Sequence, residues 1–401
     1  MLIVMKFGGS SLASASHIRH AAELILNARQ EGHRTVVVVS AQGDTTDDLV
    51  CRARELSPSP DPREEDVLLS CGEQMSMALL AMYLRELGCP AVSLCGWQAG
   101  ILTDSRHGDA RIQVIDPGRV RRELAAENVV VVAGFQGVDE GGDITTIGRG
   151  GSDTTAVALA AALQADVCRI YTDVKGVYSA DPRLVETAMI HRDISYEEML
   201  EMASLGAQVL HSRAVELAQE KQVQVEVRST FDPGEGGTFV CGESRTGARV
   251  RGVACDEAVA MVTVNGLDTG MATGTLFSAL AESGVSIDVI IRSPGSGPRQ
   301  GTVSFSVRES DGEKALAVVK SCRRALDFHS CTVESGMAKV SVVGAGMADG
   351  CGVAAKMLRA LQDGAIEPRY ITTGEIRISV ILPREQAKQA VQLVHRAFFE
   401  E

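Results

Sequence analysis

Positive charge is in short supply in this chain. Lys and Arg number 39 against 52 Asp and Glu, a formal charge of −13. So acidic a protein offers no basic surface to a phosphate backbone, which argues against nucleic-acid binding. One small phosphate-bearing molecule, held by a local cation, remains compatible. Paired cysteine motifs are also missing. The 10 cysteines are scattered, no Cys-x-x-Cys occurs, and no histidine stands at zinc-finger spacing. Reduced thiols in the cytoplasm are the expectation. The opening Met1–Met5 run lacks a charged leader and a cleavage site, and no apolar run reads as long enough to span a membrane. The eight histidines form no ligand cluster; His211 reads as packed or solvated.

At 401 residues the chain is too long for one ordinary core, so two or three domains are expected. Apolar runs at Leu2–Met5, Val36–Val39, Ala91–Leu94, Val129–Ala133 and Val167–Thr172 read as strands. Helical spacing covers Ser16–Gln30 and Ser70–Leu87, the second with Glu73 in its first turn; Pro58–Pro62 reads as a surface loop. Strand–helix alternation predicts a mostly parallel sheet covered on both faces. The texture breaks near Phe231–Gly237. Beyond it, strand–helix–strand units beginning at Val262 and Val340 repeat at an offset of roughly 80 residues, an internal duplication. Val285–Asp288 and Ala365–Glu367 read as the strands after the helices.

Three stretches carry chemistry. Lys6-Phe7-Gly8-Gly9-Ser10 puts a lysine at a strand end with glycines in the next turn. It is not a Walker A loop, in which the lysine follows the glycines. Thr145–Ala156 packs Arg149, Gly150, Gly151, Ser152 and Asp153 before an alanine-rich helix. Amides at a helix start bind anions, and arginine forks onto carboxylate or phosphate. Tyr171–Arg183 gathers carboxylates, tyrosines and an arginine in one loop, which favours a nucleotide site over a plain polar turn. Gly344, Gly346 and Gly350 mimic a dinucleotide fingerprint with the wrong spacing.

With Ser40–Thr46, Cys71-Gly72-Glu73, Gln98–Thr103 and Gly134–Gly137, these motifs run in order along the chain and resemble the aspartate kinase family of the amino-acid kinase superfamily. The resemblance implies an α/β/α sandwich with a mostly parallel sheet over residues 1–232, a linker at 233–250, and two ferredoxin-like (α+β) ACT domains at 251–335 and 336–401. It implies phosphorylation of the L-aspartate side-chain carboxylate by ATP with Mg2+, in a homodimer joined through ACT domains. By the same resemblance Lys6, Phe7, Gly8 and Gly9 hold the transferring phosphate. Arg149 takes the aspartate α-carboxylate and Glu73 its ammonium. Ser40, Thr46, Gly150, Gly151 and Ser152 complete that pocket, and Asp153 orients Lys6. Thr172, Asp173, Tyr178, Ser179, Asp181, Pro182 and Arg183 hold the nucleotide. Asp268, Ile287, Asp288 and Arg292 fall where an effector would bind.

Three departures stand out. Gln208 replaces a lysine of the family near the nucleotide. Asp268-Thr-Gly-Met271 and Arg292-Ser293 replace Asp-Lys-Pro-Gly and Gln-Asn. Glu367-Pro368 interrupts an expected strand, where proline removes a ladder donor. Weakened lysine or threonine feedback is expected. A non-catalytic amino-acid sensor and a kinase for a related acid such as glutamate are the alternative readings.

Overall fold

The computed structural model describes residues 1–400 except 206–208, 233, 235, 243–248, 268–270, 294–300, 346 and 348–351. Residues 1–178 and 189–247 form one compact unit; 179–188 and 248–401 form a second.

In chain order, the first unit runs β1 (Leu2–Phe7), α1 (Ala15–Gln30), β2 (Arg34–Val39), α2 (Thr45–Leu56), α3 (Pro62–Glu86), β3 (Ala91–Leu94), β4 (Ile101–Thr103) and β5 (Ile112–Ile115). It continues α4 (Gly118–Ala125), β6 (Val129–Ala133), β7 (Gln136–Val138), β8 (Ile144–Thr146), α5 (Gly151–Leu163), β9 (Val167–Thr172), β10 (Asp193–Ser195), α6 (Tyr196–Ser204), α7 (Ser212–Lys221), β11 (Val225–Ser229) and β12 (Thr238–Cys241). Its main sheet has the order β10-β12-β11-β9-β1-β2-β6-β3, parallel except between β11 and β12. The valine-rich strands are buried on both faces, as a covered parallel sheet requires. One face puts Met5, Phe7, Val37, Val39, Val131 and Ala133 against Ile18, Ile25, Met77 and Leu80 of α1 and α3. Lys6, pointing opposite to Met5 and Phe7, meets α5 on the other face. β4, β5, β7 and β8 make a smaller sheet.

Two expectations need correction here. The helix expected from Ser70 begins at Pro62, because Asp61 caps it by accepting the Arg63 and Glu64 amides and Pro62 suits a first turn. Glu73 therefore lies in mid-helix. At 25 residues, α3 is also long and apolar enough to cross a membrane by length and composition, contrary to the sequence reading. It is a core helix: half of that stretch is buried, and its buried face carries Asp66 and Glu73.

The second unit runs β13 (Gly252–Leu267), α8 (Met271–Glu282), β14 (Ile290–Ser293), β15 (Gly301–Arg308), α9 (Gly312–Ser321), α10 (Arg323–Leu326), β16 (Ser330–Val343), α11 (Val353–Asp363), β17 (Tyr370–Thr373), β18 (Arg377–Pro383) and α12 (Ala387–Phe399). One antiparallel sheet, β14-β15-β13-β16-β18-β17, is symmetric about its two long central strands. Val262 and Val264 of β13 belong to one core with α8 and α9, while Val253 joins Val340 and Val342 of β16 in the other with α11 and α12. Each repeat is thus completed by a strand from the other. The strands expected at Val285–Asp288 and Ala365–Glu367 form later, at Ile290 and Tyr370. Pro368 consequently stands before β17 and removes no ladder donor.

Candidate active site

β1 is where the chain order reverses: β2 follows on one side and β9 on the other. Ligands of open parallel sheets gather at the carboxyl ends of the strands flanking such a switch point. The sequence-expected residues of the first unit collect there. Lys6 is the penultimate residue of β1. Gly8 donates its amide to the Tyr171 carbonyl at 3.3 Å, Ser40 to Phe7 at 3.1 Å, and Gly43 to Gly9 at 3.0 Å. Phe7 and Tyr171 stack at 4.8 Å beneath this edge. The turns after β1, β2 and β9 are thereby locked together.

α5 meets the same edge with its amino end. Gly150 caps it at φ +69°, and no side chain caps its first turn. The open amides and the helix dipole make an anion site. Asp153, in that turn, puts Oδ1 2.6 Å from Lys6 Nζ, both side chains nearly buried. The contact is an ion pair by distance, with angles outside hydrogen-bond range. Ser152 is buried against Gly134. Arg149 is exposed, and among the described residues no hydrogen bond or ion pair engages its guanidinium.

α3 contributes Glu73, 3% exposed. Its Oε1 accepts the Ala41 amide at 2.9 Å; its Oε2 is buried without a partner. Burial pushes its pKa up to about 7, against a smaller lowering by the Ala41 amide. A buried oxygen with no donor is costly unless a ligand supplies one. Thr46 is half-buried in the first turn of α2.

Of the nucleotide candidates, Thr172 donates its hydroxyl to Asp173 at 3.0 Å, and Tyr178 bridges to Ile190. Ser179, Asp181, Pro182 and Arg183 belong to the second unit. There Ser179 Oγ lies 2.9 Å from His395 Nε2, and Arg183 forks onto Asp181, holding that carboxyl below its usual range. Gln208 and Asp268 lie outside the described residues. In the second unit Ile287 packs on the core, Asp288 pairs with Lys339 and Arg377, and Arg292 is exposed on β14.

Sequence reasoning missed two neighbours of this edge, Asp66 and Arg213, and read His211 only as packed or solvated. His211 packs on Gly150, and burial lowers its pKa. Asp66 and Arg213 bind the segment leading to Arg149. Asp66 had a legible signal: a carboxylate seven residues before Glu73 lies on the same helix face.

Residues 1–229 match the Amino acid kinase family, and residues 340–398 match the ACT domain. The chain is 50% identical to an aspartokinase of Geobacillus stearothermophilus over 99% of this chain and 97% of that protein. It is 47% identical to aspartokinase 2 of Bacillus subtilis, with the same coverage. Its fold resembles E. coli aspartokinase III in complex with aspartate and ADP, with a TM-score of 0.85 at 27% identity over 100% of both chains. The same protein in complex with lysine and aspartate gives 0.78 over 99% of both.

Proposed function

The chain belongs to the aspartokinase family, an enzyme family, and from that premise we infer that its site moves the terminal phosphoryl group of ATP onto the side-chain carboxylate of L-aspartate. A carboxylate oxygen attacks the γ-phosphorus, the bond to the bridging oxygen breaks, and ADP and 4-phospho-L-aspartate leave. The nucleophile is already ionised, so no general base is required; positioning and neutralisation of charge supply the catalysis.

The observation that carries this reading is the Lys6–Asp153 pair at the open amino end of α5. A fixed cation stands at a helix start that no side chain caps, which suits the equatorial oxygens of a phosphoryl group in flight. Asp153 would hold Lys6 aimed. Glu73, with one unpartnered buried oxygen, suits the aspartate ammonium, and Arg149, free and exposed, suits its α-carboxylate. Ser40, Thr46 and Ser152 would line the space between. Thr172, Asp173 and Tyr178 would meet the nucleotide. Magnesium, when bound, spreads charge over the phosphate oxygens. Among the described residues no group of three acidic, histidine or cysteine side chains could hold a metal alone; magnesium held by substrate phosphates usually keeps several waters as well. Weakened lysine or threonine feedback is part of the proposal and rests on the substitutions in the second unit.

A coupled assay with ATP, magnesium and L-aspartate should show turnover, with glutamate disfavoured by a difference on the order of 1–3 kcal/mol in kcat/KM. Absence of aspartate turnover, or a preference for glutamate, overturns the reading.

A further inference from the structure

Two side chains outside the proposed substrate contacts grip the backbone that presents Arg149. Asp66 is 1% exposed and lies seven residues, two helical turns, before Glu73 on α3. Its carboxylate accepts the Thr146 hydroxyl and the Gly108 amide, the latter at 3.0 and 3.1 Å to its two oxygens, and pairs with His107 Nδ1 at 2.9 Å. Thr146 ends β8, three residues before Arg149. Arg213 of α7 reaches the next residue from another side. Its Nη1 donates to the Ile147 carbonyl at 3.1 Å, and its Nη2 donates to Asp109 at 2.8 Å. The Ala110 amide closes the frame on the Thr146 carbonyl at 2.9 Å.

Thr146 and Ile147 are therefore held from α3, from α7 and from the 107–110 loop, and only Gly148 separates them from Arg149. The same helix that carries Glu73 also fixes, through Asp66, the strand end that leads to Arg149. We propose that Asp66 and Arg213 are positioning residues that set the separation of Arg149 from Glu73, and with it the length of amino acid the site accepts. This rests on the reading that those two groups take the substrate's α-carboxylate and ammonium. A bidentate clamp tolerates little displacement, and a shift of about 1 Å can cost up to about 100-fold in rate.

The test is steady-state kinetics on the full chain. Arg213→Ala is the primary variant, since that side chain is partly exposed and its removal leaves the core intact; Asp66→Asn is the second. Arg213→Ala should raise KM for aspartate about tenfold, leave KM for ATP within about twofold, and narrow the preference for aspartate over glutamate. Arg213→Lys should recover part of the loss. In an Arg149→Met background, Arg213→Ala should add no further increase, because the positioned group is gone. An unchanged KM for aspartate in Arg213→Ala, an equal rise for ATP, or full additivity with Arg149→Met overturns the proposal. Should Arg149→Met itself leave KM for aspartate unchanged, the assignment of Arg149 fails, and the positioning role fails with it.

Discussion

Glu73 was found in the sequence by its motif and its role by resemblance, but its hydrogen bonding was not. Only the folded chain shows that one of its oxygens is satisfied by Ala41 and the other by nothing. Burial raises its pKa from 4.5 to about 7, so the folded protein holds this proton more tightly than the unfolded one. Between those two values the unfolded chain has released the proton and the folded chain keeps it. Stability from this group is complete below 4.5 and is lost as pH rises towards 7, by about 3 kcal/mol in all. Glu73→Gln removes that loss, so the unliganded variant should outlast the parent in urea at pH 8 and match its pH slope less closely below 7. Binding runs the other way. An ammonium needs the ionised carboxylate, so with ATP saturating, KM for aspartate should rise by up to about tenfold per pH unit below 7. Glu73→Gln should raise that KM by about 100-fold or more and flatten its pH dependence. A parent KM that is flat between pH 5.5 and 8 would contradict the assigned role.

At the scale of elements, the amino end of α5 is the part most exposed to a single change. Gly150 sits at φ +69° with His211 across from it, where an added Cβ would fall 2.2 Å from the histidine Cβ. Gly108 has a similar φ of +79° and open space around it. The pair separates backbone strain from collision. Gly108→Ala should cost about 1 kcal/mol in urea unfolding, and Gly150→Ala about 2–4 kcal/mol together with most of the activity. Equal costs would show that His211 yields easily and does not define the helix start. Several strands of the main sheet were legible because their signal is local. Ala91–Leu94 and Val167–Thr172 were read to the residue, being short, largely apolar segments between turn residues. The start of α3 was not, because its buried face carries Asp66, Ser70 and Glu73, which interrupt the apolar period that normally marks a helix. A short strand such as β10 leaves little trace at all, since its pairing partner β12 lies more than forty residues away.

At the scale of the whole molecule, the duplication was visible in the sequence while its interweaving was not. Val262 and Val340 mark equivalent strands, but that β13 and β16 each serve both cores depends on pairings such as Val253 with Val342, which no local pattern records. Pro368 drops out as a cause of the proposed weakened feedback, because it lies outside β17. Arg292 remains, exposed on the edge strand β14 where the family has glutamine. A side-chain amide both donates and accepts, whereas a guanidinium only donates and repels an amino-acid ammonium. The nearby Asp288 carboxylate is already paired with Lys339 and Arg377, so it offers less unbalanced charge to an incoming ammonium. Allosteric couplings usually change affinity by about 5–150-fold. Here lysine or threonine should change the rate of the full chain by less than about twofold, measured in the coupled assay at limiting aspartate. Restoring Gln at 292 and Asn at 293 together should bring back part of the inhibition if these positions read the effector. Strong inhibition of the unaltered chain by either amino acid would show that Arg292 is tolerated at the effector site and that feedback is intact.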